Sequence, residues 1–205
     1  RKVRYRNIFE MQQKSFKINW KLKIFIYKVL YFFRLKKILF FIQKNITKRA
    51  DVQIKEINFY WQYHLDFLKE FNSVKILEFG AGKSLEQNIF LSYQSRSKLD
   101  QTVIDVSNML DIDLFNKANE LIAKILNKNR RPFVRSIEDI NKFYNIKYLA
   151  PYTIDEIEKA GLCFDACISS TTLEHLPINI LNNIFITLKK IVKKNGIILS
   201  LIDYS

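Results

Sequence analysis

The sequence has few of the residues that build a disulfide scaffold. Only two of its 205 residues are cysteine, Cys163 and Cys167, and they lie in or beside an apolar run. A metal site would need a second Cys or His pair, and none accompanies them. We therefore expect two buried, inert thiols in a reducing cytosol, and we predict neither a disulfide framework nor a metal site.

Long apolar runs are also missing. Between residues 18 and 42 the sequence is rich in apolar and aromatic residues, but lysine and arginine interrupt it repeatedly. The charge-free stretches, of about five residues, are far shorter than the ~18–20 residues that span a bilayer. The same charges argue against the apolar core of a cleavable signal peptide. The sequence therefore predicts a cytoplasmic protein, attached at most to the inner face of a membrane.

Positive charge is concentrated at one end of the chain. Residues 1–50 contain 15 of the 34 Lys and Arg residues but one of the 20 acids, which leaves 19 residues of each sign in residues 51–205. The formal charge of +14 therefore belongs to the first 50 residues. A composition with 48% hydrophobic and 14% aromatic residues argues against general disorder. We expect a basic, aromatic helical arm over 1–50 and one neutral domain over 51–205.

Three interpretations of the arm remain open. Apolar bulk beside cations in residues 17–44 suits a helix that lies in the interface of an anionic membrane. A basic, aromatic segment is also suited to holding RNA phosphates and stacking on bases. The same residues suit, equally, a helix that packs on its own domain or on a partner, with the lysine stems extended to water.

The most informative stretch is residues 74–85, with the sequence VKILEFGAGKSL. An apolar run contains an acid, Glu78, close to its end, two glycines follow at Gly80 and Gly82, and a polar helix is predicted from Ser84. This order indicates a strand that leads through a tight turn into a helix, where bare backbone can approach a ligand. The unpaired N–H groups at the start of the helix favour a ligand with a carboxylate or a phosphate.

Three ligand classes use a turn of this kind. A phosphate-binding P-loop needs a glycine at the position of Leu77, and the dinucleotide fingerprint needs one at the position of Leu85. The third class has an acid two residues before the first glycine, as Glu78 stands before Gly80. A glycine-rich turn that binds no ligand is the remaining interpretation.

A second predicted strand, residues 101–106, ends near Asp105. In a doubly wound sheet this position presents a carboxylate to the two hydroxyl groups of a ribose. Asp105 follows Gly82 by close to the ~20 residues expected for that role. A helix-capping or solvated aspartate is the alternative.

A third stretch, residues 164–177, has the sequence FDACISSTTLEHLP. An apolar strand ends in small hydroxyl residues, and a short turn with the sequence Leu-Glu-His-Leu-Pro precedes the next predicted helix. Nothing in a dehydrogenase or a P-loop protein requires such a run. Together with the acid and glycines of residues 78–82, it resembles the class I methyltransferases that use S-adenosylmethionine (SAM) and act on small molecules, lipids or sugars.

The resemblance extends through residues 178–203, which are similar to the family's next helix, turn and fifth strand. The helix is expected to end at Lys194, with Asn195 and Gly196 in the turn. Strands that alternate with helices independently indicate a parallel sheet covered on both faces. We therefore expect an α/β, Rossmann-like, doubly wound and mostly parallel sheet. Because the family's sheets continue beyond the fifth strand, the chain is expected to lack the last strands.

The resemblance also implies a SAM site and its residues. The implied residues are Gly80, Ala81 and Gly82 at the methionine moiety, Glu78 beneath their turn, Asp105 at the ribose, Met109 and Leu110 at the adenine, and Ser169, Ser170 and Thr171 facing the methionyl group and the acceptor. His175 has a position suited to a general base, a role that imidazole side chains commonly take, and it is the candidate catalytic residue. The alternative is a structural role for His175, in which it orients Glu174 or the backbone.

A helix predicted over residues 51–72 precedes the first strand. Its many aromatic residues suit packing in the core, and they also suit a cover over the SAM cleft. We interpret His64, within this helix, as a structural residue.

The sequence thus predicts a SAM-dependent methyltransferase that modifies a hydroxyl or amine of a small-molecule, glycan or lipid-linked acceptor, docked at a membrane by its arm. An RNA methyltransferase is the first alternative. The Asn/Asp-Pro-Pro-Tyr motif of nucleic-acid enzymes that methylate amino groups is missing, because residues 169–172 are SSTT. A non-enzymatic, membrane-associated SAM-binding module is the second alternative.

Overall fold

The computed structural model describes residues 51–94 and 98–202. The basic arm, with residues 17–44, lies outside the described residues, and its three interpretations therefore stay predictions. Within the described part of the chain, no helix is both long enough and apolar enough to cross a bilayer.

The described residues form one sheet of five strands. The strands are β1 (Ser73–Phe79), β2 (Lys98–Ile104), β3 (Ile146–Leu149), β4 (Phe164–Ser170) and β5 (Val192–Leu201). Their order across the sheet is β3-β2-β1-β4-β5, and each neighbouring pair is parallel. The chain thus builds outward from β1 in one direction and then returns to build outward in the other. This order confirms the predicted doubly wound, Rossmann-like sheet.

Helices connect and cover the strands. They are α1 (Phe59–Leu68), α2 (Glu86–Gln94), α3 (Ile112–Ile125), α4 (Ile137–Tyr144), α5 (Ile154–Lys159) and α6 (Ile178–Ile191), with a short 3-10 helix at Leu173–His175. Capping residues set several boundaries: Asp111 accepts a hydrogen bond from the Leu114 N–H, and Ser136 accepts one from the Asp139 N–H. Each cap satisfies a donor that the first helical turn leaves without a partner.

Each strand contributes to two apolar layers, because successive side chains point to opposite faces of a sheet. Ile76 and Val103 belong to a cluster that includes buried residues of α1 to α4. Their neighbours Leu77 and Ile104 belong to a second cluster, formed with buried residues of α5 and α6. The sheet is therefore covered on both faces.

Two helix boundaries differ from the prediction. The helix predicted over 51–72 is limited to α1, since residues 51–58 run irregularly with Val52 buried. Helix α2 begins at Glu86 rather than at Ser84, because Leu85 has a φ of 50°, in the left-handed region that a helix cannot use.

The connection from α6 to β5 also differs. The predicted turn at Asn195 and Gly196 lies inside β5, and the strand pairs with β4 through a register shift between Phe164 and Ala166. A Cβ on Gly196 would lie 2.7 Å from the Asp165 carbonyl oxygen, so the glycine permits this close approach. The cysteines divide as well: Cys167 is buried, as predicted, whereas Cys163 is exposed.

Candidate functional site

A cavity of ≈ 240 Å³ lies at the carboxyl ends of β1 and β4. These two central strands lead to helices on opposite faces, and the point where such a sheet divides leaves a crevice for ligands. The lining residues come from α1, the glycine turn, the start of α2 and the end of β4: Tyr60, Trp61, Glu78, Gly80, Ala81, Gly82, Ser84, Glu86, Gln87, Ser170 and Thr171. Six of these residues, Glu78, Gly80, Ala81, Gly82, Ser170 and Thr171, were predicted from the sequence as site residues, and the other five were not.

The glycine turn and the end of β4 lock together. Gly80 has a φ of 76°, which few other residues adopt. A Cβ at this position would lie 2.3 Å from Oγ1 of Thr172. That hydroxyl group lies 3.0 Å from the Ser170 carbonyl oxygen, to which it donates, and 3.4 Å from the Gly80 carbonyl oxygen. Glycine at position 80 is thus required by both its backbone angle and its neighbour, whereas Gly82, with a φ of 75°, has open space around it.

Glu78 lies beneath this turn and is almost fully buried, with 2% of its surface exposed. Its two carboxylate oxygens accept hydrogen bonds from side-chain amides of α2, at 3.2 Å from Gln87 Nε2 and 2.7 Å from Asn88 Nδ2. Burial raises the pKa of Glu78 to about 7, the two amide bonds oppose that rise, and the nearby Asp105 carboxyl adds to it. Among the described residues that act on this carboxyl, none is cationic.

Gln87 is the centre of the polar network. Its Nε2 donates to Glu78, so its Oε1 is the acceptor for the Ser170 hydroxyl at 3.2 Å and for His64 Nδ1 at 3.1 Å. His64 must therefore carry a proton on Nδ1, and burial lowers the pKa of its ring, which favours the neutral form. Sequence reasoning treated His64 as structural and missed Gln87, because no motif marks either residue as a partner of the turn.

The remaining walls are aromatic and acidic. Tyr60 and Trp61 extend from α1, where the Asn58 side-chain amide donates to the Tyr60 hydroxyl at 2.8 Å. Ser84 donates to the Glu86 carboxylate at 2.8 Å, and burial raises the pKa of Glu86. The cavity lining thus contains two carboxyl groups and no Lys or Arg. Such a lining attracts a cation and repels a phosphate, contrary to the anion that the start of α2 alone would favour.

Asp105 lies beside the turn but outside the lining of this cavity. Strand pairing aligns Phe79 with Ile104, which places Asp105 next to Gly80 across the sheet. Asp105 is 8% exposed, and burial raises the pKa of its carboxyl, while a hydrogen bond from the Tyr148 hydroxyl at 3.1 Å opposes the rise.

The predicted adenine contacts follow Asp105 in the chain. Met109 is 43% exposed, and Leu110 is partly buried against the core cluster. The Met109 backbone N–H donates to the Tyr148 hydroxyl oxygen at 3.1 Å, so the same phenol holds this loop and Asp105. Sequence reasoning did not identify Tyr148, since it follows Asp105 by 43 residues and belongs to no motif.

The hydroxyl residues at the end of β4 do not act together. Ser170 and Thr171 line the cavity, but Ser169 is buried and, by the alternation of side chains along a strand, faces the opposite side of the sheet. His175 is exposed on the short 3-10 helix and does not line the cavity. In the described part of the chain, no group of three or more His, Cys, Asp or Glu residues could hold a metal ion.

No protein-family model matches the chain, and no curated protein matches it. Solved structures similar to it include PKMT2 from Rickettsia typhi in complex with AdoHcy, at 17% identity and a TM-score of 0.41, with 72% of this chain and 26% of that chain covered. TehB from Haemophilus influenzae is 18% identical, with a TM-score of 0.42 and coverage of 76% and 42%. The DhpI–SAH complex is 15% identical, with a TM-score of 0.41 and coverage of 71% and 60%.

The chain therefore spans between 26% and 60% of the length of these three structures. Similarity at this level says nothing about the ligand or the reaction of this chain.

Proposed function

We propose that the protein is a SAM-dependent methyltransferase. The observation that carries the proposal is the glycine turn at the centre of the sheet, which opens into a cavity with two carboxyl groups and no basic side chain. The methionine end of SAM carries an ammonium and a sulfonium against a single carboxylate, so such a lining favours its net positive charge. A dinucleotide or nucleoside triphosphate would bring phosphates to the same carboxylates, which is unfavourable.

Different residues are proposed to bind the methionine moiety and the ribose. Gly80 and Gly82 let the backbone approach the methionine moiety, and Glu78 supplies negative charge beneath the turn. Asp105 offers a carboxylate to the ribose hydroxyls, next to the same turn. Ser170 and Thr171, which line the cavity, remain candidates for the methionyl contact.

The adenine contacts form the outer part of the proposed site. The proposed contacts on one side of the adenine are Met109 and Leu110, which lie in the loop after Asp105. Ser169 is not among the proposed contacts, since it faces the opposite side of the sheet.

When bound, SAM supplies an activated methyl group for in-line transfer to a hydroxyl or amine. The chain's task is orientation, because holding both partners in line removes much of the entropic cost of such a reaction. His175 is the proposed base that takes the acceptor's proton. It lies on the 3-10 helix after β4, at the edge of the sheet where the cavity opens.

We further propose that the acceptor is a small molecule, a glycan or a lipid-linked compound with a hydroxyl or amine. The support is the sequence from Leu173 to Pro177 and the composition of residues 17–44, in which apolar side chains accompany cations. That composition suits peripheral attachment to an anionic membrane at its cytoplasmic face. Sedimentation with vesicles of neutral or anionic lipid, with and without competing RNA, tests this attachment.

Calorimetric titration with SAM and with S-adenosylhomocysteine (SAH) tests the central proposal. We expect both to bind at micromolar concentration and ATP to bind much more weakly. Asp105→Ala should abolish binding, whereas Asp100→Asn, in the amino-terminal half of β2, should not change it. A folded chain that binds neither SAM nor SAH would overturn the proposal, and binding without turnover across an acceptor screen would favour a non-enzymatic module.

A further inference from the structure

Tyr148 of β3 joins the two parts of the proposed nucleoside site. Its side chain is buried, with 5% of its surface exposed. The hydroxyl group donates to Asp105 Oδ2 at 3.1 Å and accepts from the Met109 N–H at 3.1 Å. One oxygen atom therefore uses its single proton on the acid at the end of β2 and a lone pair on the loop that follows.

These two hydrogen bonds have different effects. The bond to Asp105 occupies Oδ2, so Oδ1 is the oxygen left to face a ligand, and it favours the ionised carboxylate that a ribose hydroxyl needs as acceptor. The bond from Met109 fixes the backbone of the loop at the residue proposed for the adenine. Neither effect is needed to fill the core, since the phenyl ring alone supplies the buried apolar surface.

We infer that Tyr148 is a positioning residue for the nucleoside, which sets the orientation of Asp105 and of the 106–110 loop together. The inference rests on the proposed function, because it assigns the nucleoside half of that site. It predicts that the Tyr148 hydroxyl is required for ribose recognition and contributes nothing to recognition of the methionine chain.

The experiment compares Tyr148→Phe with Tyr144→Phe. Tyr144 is also buried, and its hydroxyl donates to the Pro132 carbonyl oxygen at 3.0 Å, away from the cavity and from Asp105. Both variants remove one phenol oxygen and keep the ring, so the control accounts for the general cost of losing a buried hydroxyl. Chemical denaturation of each variant, measured first, establishes that it folds.

Three probes locate the effect: SAH, 5′-methylthioadenosine and 2′-deoxy-5′-methylthioadenosine. We expect Tyr148→Phe to weaken binding of the first two by the same factor, about tenfold, since hydrogen bonds to charged groups are the stronger ones. Binding of the 2′-deoxy probe should weaken less, so that discrimination between the two methylthioadenosines falls. Tyr144→Phe should change all three affinities by less than about twofold.

The dependence of SAH binding on pH supplies a readout that packing alone would not move. Loss of the Tyr148 donor raises the pKa of Asp105 further. As the pH is lowered, the variant should therefore lose SAH binding at a higher pH than the wild type does. Glu78 on β1 is the other acid that faces Asp105, and its own hydrogen bonds to Gln87 and Asn88 are the same in the wild type and in the variant. The difference between the two profiles therefore reports Asp105.

Two results would overturn the inference while leaving the proposed function intact. They are wild-type affinities in Tyr148→Phe, and an equal loss in Tyr144→Phe. Should Tyr148→Phe be less stable, the ratio of its affinities for the two methylthioadenosines decides, since partial unfolding lowers both affinities by the same factor and loss of ribose recognition changes their ratio. Failure of the wild-type chain to bind SAH would instead overturn the proposed function, and the inference with it.

Discussion

The two acids of the crevice, Glu78 and Asp105, are held in different ways. Both oxygens of Glu78 are bound by amides of α2, the helix that its own turn begins, 9 and 10 residues further along the chain. Asp105 receives its side-chain hydrogen bond from Tyr148, 43 residues further on, and pairing of β2 with β3 brings the two together. The methionine side of the crevice is therefore fixed by local structure, and the nucleoside side is fixed by assembly of the sheet.

The difference has a functional meaning. Glu78 has no oxygen left without a hydrogen bond, so it acts through its charge on whatever occupies the cavity. Asp105 keeps one oxygen for direct contact. Four substitutions test this difference and the site around the two acids, beginning with the largest expected effect.

Gly80→Ala should have the largest effect, because the added Cβ overlaps the Thr172 side chain and the backbone angle is strained. We expect a loss of about 3 kcal/mol in the free energy of unfolding and no SAM binding. Gly82→Ala has the same strain without the overlap and should cost about 1 kcal/mol. Adding Thr172→Ala should recover part of the loss at position 80 and none at position 82. Equal losses in the two alanine variants, measured by chemical denaturation, would contradict the proposed lock.

Glu78→Gln should alter the pH dependence of stability. Since the folded-state pKa of Glu78 lies above its ordinary value, the folded protein binds this proton more tightly than the unfolded chain does. The resulting stability is present below the ordinary carboxyl pKa and is lost as the pH rises to about 7, a change on the order of 3 kcal/mol.

The variant should therefore lose this part of the slope and be more stable than the wild type at pH 8. Denaturant titrations from pH 4 to pH 8 measure both curves. Asp105→Asn is the comparison: burial also raises its pKa, so it should show a change of the same sign. If the wild type became more stable relative to Glu78→Gln between pH 5 and pH 7, the raised pKa of Glu78 would be refuted.

Gln87→Ala should cost about 1–3 kcal/mol in unfolding free energy, because it leaves Glu78 with one amide and removes the shared acceptor of Ser170 and His64. It should also raise the pKa of Glu78 and thereby weaken SAM binding at neutral pH. Gln94→Ala on the same helix removes an exposed contact with Lys128 and should cost less than about 0.5 kcal/mol. Similar losses for the two glutamines would show that the network contributes little.

His175→Ala should have the smallest effect on the folded state, within about 0.5 kcal/mol, since the side chain is exposed. SAM affinity should be unchanged as well. If His175 takes the proton of the acceptor, turnover should fall by about 10²-fold or more. Turnover equal to that of the wild type would remove His175 from the proposed chemistry.

Much of the fold and part of the site follow from the sequence. Buried strands at β1, β2 and β4, which are followed by glycines, an acid and small hydroxyl residues respectively, were sufficient to predict a parallel sheet and a candidate site at the carboxyl ends of its strands. Such features depend on neighbours in the sequence, which is why a single chain reveals them.

The remaining features depend on contacts between distant segments. Neither the bond between His64 and Gln87 nor that between Tyr148 and Asp105 has a sequence signal, because any buried polar residue could supply either partner. Alternation fixes only that Ser169 and Ser170 face opposite ways, and which of them faces the cavity depends on which face of β4 the helix α2 covers. The register shift between β4 and β5 depends on Asp165, because only a glycine at position 196 can approach its carbonyl oxygen so closely.

The left-handed backbone of Leu85 has a consequence for recognising turns of this kind. Gly80, Gly82 and Leu85 all have positive φ angles within six residues, yet the third is a fully buried leucine. Burial of its side chain offsets a strain that glycine would avoid. A pattern written in glycines passes over such a turn, whereas one written in backbone angles and burial would find it.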